Sequence, residues 1–254
     1  MMSAPHFPAG LYPILDLDAC RNRNLNPDEI ILQWKKLGWG PYQLRAKSLQ
    51  AEEYAAMAEH LHARWISAES GGENRWHSRP AIIANDFLEV AWHHSDWFCG
   101  IHLGRSDLQS LSPREEQMLG QILDSGGVAG CSTHTAEEFR NALEEKRGGT
   151  GWSYVALGPV FSSDSKTNSL DQNPALGVEK VSEIVADPAL SDVLSGRQIR
   201  STAVLIGGLD PDRWRALREA TERRNVEELS LVPAAIASVL DGAQRWNEAL
   251  EGHS

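Results

Sequence analysis

Cysteine, long apolar runs and positive charge are all scarce in this chain, and each scarcity excludes something. The three cysteines, Cys20, Cys99 and Cys131, are odd in number and show no C-x-x-C spacing. That argues against a disulfide framework and a structural zinc site, and it suits a reducing, cytoplasmic compartment. No apolar run approaches the roughly 18 residues of a membrane span. The first ten residues hold neither a basic stretch nor an apolar core, so no signal peptide is expected. The 24 Lys and Arg face 35 Asp and Glu, a net charge of −11. That balance disfavours a nucleic-acid binder, while a locally basic pocket can still take an anionic substrate. No internal repeat or low-complexity tract is present. What remains is ordinary globular composition, 41% hydrophobic and 23% charged over 254 residues. A chain of this size buries about three quarters of its unfolded surface and folds without a staple.

Strand-length apolar segments alternate with helical stretches. Strands are predicted at 11–16, 39–45, 81–84, 98–103, 128–131, 154–157, 202–206 and 229–232. Helices are predicted at 27–37, 49–68, after the third strand to about 92, and at 113–123, 135–146, 178–185, 211–220 and 234–250. Asn26 before Pro27 reads as an N-cap, and Ser112 with Glu115 as a capping box. The polar stretches 70–79 and 162–174 read as loops, and 1–10 as a flexible N-terminus. Alternation implies parallel strands, since each return needs a crossover helix. Eight such pairs in this length fit a (β/α)8 TIM barrel, one α/β domain spanning 1–254. A doubly wound open sheet competes, but no G-x-G-x-x-G follows the first strand, which weakens its dinucleotide-binding form.

The active site of such a barrel is built at the C-terminal ends of the strands. The polar residues closing the predicted strands are Gln43, Arg45 and Lys47; Asn85 and Asp86; His102, Gly104 and Asp107; Ser132, His134 and Thr135; Gly158 and Pro159, then Ser163, Ser165 and Lys166; and Gly207 and Gly208. Asp86 and Asp107 come from adjacent strand ends and suit Mg²⁺, which prefers oxygen ligands. Arg45 suits phosphate oxygens as a fork, Lys47 and Lys166 as point charges. Ser163 and Ser165 add hydroxyls, and Gly207 with Gly208 lets backbone approach a ligand. Together they describe a Mg²⁺–diphosphate site inside an acidic protein. Each residue also has a plainer reading. Arg45 is an exposed position of an alternating strand, Asp86 a helix cap, and His102, between Ile101 and Leu103, a satisfied core histidine. His134 packs at a helix start, and Gly207-Gly208 is a tight turn. Six strand ends sharing one chemical logic weigh against coincidence.

The segments YQLRAK (42–47), IIAND (82–86), GIHLG (100–104) with Asp107, GCSTHT (130–135), YVALGPVF (154–161) running into SDSK (163–166), and LIGG (205–208) resemble, in order and spacing, the thiamine phosphate synthase family of (β/α)8 barrels. The resemblance implies a transferase of thiamine biosynthesis. A hydroxymethylpyrimidine diphosphate loses diphosphate, and a thiazole phosphate captures the pyrimidine-methyl cation. It implies Mg²⁺ as cofactor on Asp86 and Asp107, and Arg45, Lys47, Asn85, Ser132 and Lys166 as diphosphate contacts. Gln43 becomes a pyrimidine contact, with His102 close to that ring. Ser163 and Ser165 stand where the family usually has threonines near the thiazole phosphate, and Gly208 lies where its backbone meets that substrate. Two alternatives share the barrel: a thiazole tautomerase, which keeps a histidine at the His134 position without needing the metal and diphosphate set, and a non-catalytic phosphate-ligand-binding barrel. Retention of Asp86, Asp107, Arg45 and Lys166 favours the synthase. A Schiff-base aldolase is disfavoured, because Lys47 and Lys166 stand in polar stretches beside other cations. Arg105 replaces the family's usual glutamine and is expected to point away or pair with a neighbouring carboxylate. The run LVPAA (231–235) replaces the usual serine-alanine pair of strand eight, and Pro233 has no N–H to give. The expected partners are two small phosphorylated substrates, with no nucleic acid and no membrane. A homo-oligomer is one option, with Trp92 and Trp97 as a candidate contact patch.

Overall fold

The computed structural model describes residues 10–68, 80–145, 151–162, 174–194, 201–224, 229–240 and 242–251. The stretches 1–9, 70–79 and 163–173 therefore lie outside the described residues. Eight parallel strands close in chain order: β1 (Tyr12–Asp16), β2 (Tyr42–Arg45), β3 (Ile82–Asn85), β4 (Phe98–Leu103), β5 (Val128–Thr133), β6 (Tyr154–Leu157), β7 (Ser201–Ile206) and β8 (Leu229–Ala235). The helices are α1 (Leu17–Asn22), α2 (Pro27–Lys36), α3 (Ala51–Ser67), α4 (Leu88–His93), α5 (Arg105–Gln109), α6 (Pro113–Asp124), α7 (Ala136–Glu144), α8 (Gly177–Val185), α9 (Pro188–Leu194), α10 (Pro211–Glu222), α11 (Ala237–Leu240) and α12 (Ala243–Glu251). This is the (β/α)8 barrel that the alternation implied, and the open sheet is excluded. Among the described residues no helix is long and apolar enough to cross a membrane.

Local chemistry places the helix starts. The Asn26 side chain accepts from Asp28 N at 3.0 Å ahead of α2, and Pro27 occupies the first turn, where a missing N–H costs nothing. Ser112 and Glu115 form the reciprocal capping box of α6. Thr135 caps α7 through Glu138 N at 3.1 Å. The strands are buried on both faces, helices outside and side chains inside, which is why their sequences run apolar rather than alternating. Tyr12 and Tyr154 meet across the barrel interior, their hydroxyls 2.9 Å apart. Gly130 makes the room, since a Cβ there would stand 2.1 Å from the Tyr154 ring.

Several boundaries differ from the sequence expectation. β2 starts at Tyr42 rather than 39, because Gly38 (φ 74°) and Gly40 (φ 153°) turn the chain just before it. β3 and β5 run on to Asn85 and Thr133, so Asn85 and Ser132 lie within their strands. The predicted closing helix 234–250 is corrected. Ala234 and Ala235 are strand, paired with Ile206, Tyr12 and Pro13. The helical segment after β8 is divided into α11 and α12 at Gly242, where a Cβ would lie 2.7 Å from Ser238 O. The short helices α1, α5 and α9 were not anticipated; with 5–7 residues they carry too little periodicity to read.

Candidate active site

Asp16 closes β1 and is 2% exposed. One carboxylate oxygen caps α1 through Ala19 N at 2.9 Å, and the other holds the Arg45 guanidinium. Arg45 is thus a half-hidden cation at the C-terminal end of β2, and its plainer reading as an exposed strand position fails. Sequence reasoning missed Asp16, although a carboxylate ending a wholly apolar strand was the signal. Lys47 follows in the loop, its backbone N held by Asp18 Oδ2 at 3.0 Å and its side chain exposed.

Asp86 follows β3 with φ 65°, a left-handed conformation that costs a non-glycine residue roughly 1–2 kcal/mol. Three bonds hold it there. Its N–H donates to His102 O at 2.9 Å, its Oδ1 accepts from Gly104 N at 2.8 Å, and its Oδ2 accepts from Asn85 Nδ2 at 2.5 Å. The helix-cap reading of Asp86 is corrected, since the residue preceding α4 is Phe87 and no side chain caps that helix. Asp107 sits in the first turn of α5. A Cβ on Gly104 would stand 2.8 Å from Asp107 Oδ2 and 3.3 Å from Asp86 Oδ1, so both carboxylates converge on one backbone point that only glycine leaves open. Burial pushes the Asp107 carboxyl above its ordinary range, the nearby Asp86 charge adds to the shift, and Lys47 opposes it. Among the described residues no three His, Cys, Asp or Glu side chains cluster as metal ligands. The pair supplies hard oxygen donors in the small number that Mg²⁺ takes from protein when phosphate and water complete its shell. Arg105 turns away and pairs with Glu138 at 2.9 Å, as expected.

Inside the barrel, Gln43 Nε2 lies 3.3 Å from the Tyr12 hydroxyl, which continues to Tyr154. His102 Nδ1 lies 2.9 Å from the Tyr154 hydroxyl, and His102 Nε2 lies 2.9 Å from Ser132 Oγ. Burial pushes the imidazole down to about 4, so it is neutral at physiological pH. His102 is therefore a satisfied core histidine, as its plainer reading held, yet one bonded to a predicted diphosphate contact. His134 is tied at Nδ1 to Gly158 O at 2.5 Å, and its backbone N donates to Glu138 at 2.8 Å.

Ser163, Ser165 and Lys166 lie outside the described residues. Gly207 (φ 104°) and Gly208 (φ 58°) are required by packing alone, since Cβ atoms there would lie 2.7 Å from Pro159 and 2.6 Å from Ser162 O. Pro233 stands opposite Leu205, inside β8 rather than at its end, so its missing N–H is not at the mouth. Beyond the strand, Ser238 Oγ is committed to Leu209 O at 2.8 Å.

A family model described as thiamine monophosphate synthase matches residues 11–224, from the start of the barrel through α10. The chain belongs to this family. Proteins named thiamine-phosphate synthase are similar across most of its length. That of Salmonella dublin is 30% identical over 215 residues, covering 82% of this chain and 85% of the relative. That of Haloarcula marismortui is 27% identical over 217 residues, covering 85% and 88%. That of Leptospira biflexa is 25% identical over 198 residues, covering 78% and 83%. The family match ends before β8, the strand whose sequence departs from the family's usual serine-alanine ending.

Proposed function

We propose that this chain is a thiamine phosphate synthase, a transferase joining hydroxymethylpyrimidine diphosphate to thiazole phosphate and releasing diphosphate. The observation that carries the reading is the convergence of Asp86 and Asp107 on Gly104, beside Asn85 and level with the barrel-end groups Arg45 and Ser132. The C–O bond between the pyrimidine methylene and diphosphate breaks, its electron pair leaving with diphosphate. The thiazole nitrogen lone pair then forms the new C–N bond. Mg²⁺ held by Asp86 and Asp107 would neutralise charge growing on the departing diphosphate. Arg45, locked by Asp16, presents its remaining N–H groups to the same oxygens, with Lys47, Asn85, Ser132 and Lys166 as further contacts. Groups fixed in place before the reaction favour the developing charge over the ground state, which is what accelerates the step. Gln43 reads the aminopyrimidine with His102 near the ring, and Ser163, Ser165, His134, Gly207 and Gly208 belong to the thiazole phosphate side. Positioning of the two substrates supplies much of the remainder. The partners are these small molecules, and a cytoplasmic setting fits three cysteines that stand as thiols.

The test is a single-turnover assay with both substrates and Mg²⁺, thiamine phosphate being detected by oxidation to a fluorescent thiochrome. Product is expected from the wild-type protein. Asp86→Asn or a chelator is expected to lower its rate by at least about a hundredfold. Well-folded protein that makes no product would overturn the reading.

A further inference from the structure

The hydroxyls and imidazole inside the barrel form a continuous chain, Gln43–Tyr12–Tyr154–His102–Ser132, with links of 3.3, 2.9, 2.9 and 2.9 Å. Each hydroxyl has one hydrogen, and a neutral imidazole has one N–H and one bare nitrogen. Fixing the donor at the Ser132 end therefore fixes every link below it. At the upper end, Ser132 faces the diphosphate in the function proposed above, on which this inference rests. An anion there requires the Ser132 hydrogen to point at it. Ser132 Oγ must then accept from His102 Nε2–H. His102 Nδ1 is left bare and accepts from Tyr154, whose oxygen accepts from Tyr12, whose oxygen accepts from Gln43 Nε2. The lower end is compatible with the same sense, since Gln43 Nε2 donates to the Tyr12 hydroxyl. With one amide N–H given to Tyr12, Gln43 keeps Oε1 as an acceptor for the exocyclic N–H of an aminopyrimidine.

We propose that Tyr154 and His102 are positioning residues: this chain runs in a single donor sense, holds His102 as the Nε2–H tautomer, and turns the Ser132 hydroxyl hydrogen toward the departing diphosphate. Packing supports the assignment. The His102 and Tyr154 rings stack with centroids 5.7 Å apart and planes 10° apart, and Tyr12 meets Tyr154 edge-on at 5.4 Å. The Tyr154 ring fills the space that Gly130 leaves, which sets its place beside His102. A serine hydroxyl is otherwise a free rotor, and a donor fixed in advance needs no reorganisation as charge develops.

The tautomer is read on wild-type protein labelled with ¹⁵N-histidine, by long-range ¹H–¹⁵N correlation, with His102→Gln to assign the signals. The expected result is a protonated Nε2 and a bare Nδ1, unchanged when inorganic diphosphate and Mg²⁺ are added. A protonated Nδ1 overturns the proposal. Tyr154→Phe is expected to blur that single tautomer and to lower kcat about tenfold. KM for both substrates should stay within about twofold, the signature of an interaction made in the transition state. In a Ser132→Ala background, Tyr154→Phe should cost nothing further, because the hydrogen it aims is gone. Additive losses would overturn the role. Should Tyr154→Phe not fold, the wild-type spectrum still decides. An active enzyme with Nδ1–H refutes the relay alone, whereas Nε2–H protein that makes no thiamine phosphate refutes the synthase reading and with it the role of Ser132.

Discussion

Asp16 does two jobs at the end of β1, and a substitution can separate them. One oxygen caps α1 and the other holds Arg45. Asparagine caps about as well as aspartate but cannot pair with a guanidinium as an anion. Asp16→Asn is therefore expected to keep α1 while releasing Arg45. The kcat/KM for the pyrimidine diphosphate should fall about tenfold. Asp16→Ala should lose the cap as well, a further ~1 kcal/mol of stability in denaturant titration. Equal activity in wild type and Asp16→Asn would show that Arg45 orients itself. At this scale the sequence was half legible. Asp86, Asp107 and Gly104 could be named from strand ends, but the bond from Gly104 N to Asp86 and the left-handed turn at Asp86 arise only when β3 and β4 lie side by side.

Helix starts were the most legible elements, because a cap is a contact between residues two or three positions apart. The cap of α2 and the capping box of α6 fell where the sequence placed them. The Ser112 box makes a pH-dependent expectation. The Ser112 side chain, then its backbone N–H, bonds the Glu115 carboxylate and holds it below its ordinary range. A depressed carboxylate contributes stability above its unfolded pKa and loses it as pH falls through the folded value. Ser112→Ala should thus cost about 1 kcal/mol at neutral pH. The gap between variant and wild type should narrow in acid, as Glu115 protonates in both. Urea titrations at pH 7 and pH 3 measure it, and an equal gap at both would show that Glu115 takes no part. The short helices and the break at Gly242 were not legible, because they depend on where the strands end.

Closure of the barrel depends on contacts between the two ends of the chain. Trp34 Nε1 donates to Val239 O at 3.1 Å, and Trp39 Nε1 to Asn247 Oδ1 at 3.1 Å, tying α2 and its following loop to α11 and α12. Trp246 is fully buried and donates to Ser238 Oγ at 3.2 Å, the same hydroxyl that holds Leu209 O beside Gly208. Trp246→Ala is expected to cost about 3–5 kcal/mol as a cavity. At roughly 2–4 °C per kcal/mol for a chain of this size, the Tm should drop by about 10 °C in calorimetry. A Tm within about 2 °C of wild type would show that α12 is not needed to close the barrel.

The sequence by itself determined the eight alternating units, the parallel order that they require, the starts of the capped helices α2, α6 and α10 and the polar identity of most strand ends. Those are local properties: periodicity, caps and turn residues act over a few positions and survive without tertiary contacts. Only the tertiary structure decided which strand-end groups meet. Asp16 is joined to Arg45 across the β1–β2 ladder, Asp86 and Asp107 converge on Gly104, and five residues from five strands link into one hydrogen-bonded chain through the barrel. Each of these contacts spans 18 or more positions or depends on the stagger of neighbouring strands. That stagger is set by closing the whole barrel, which no local segment encodes.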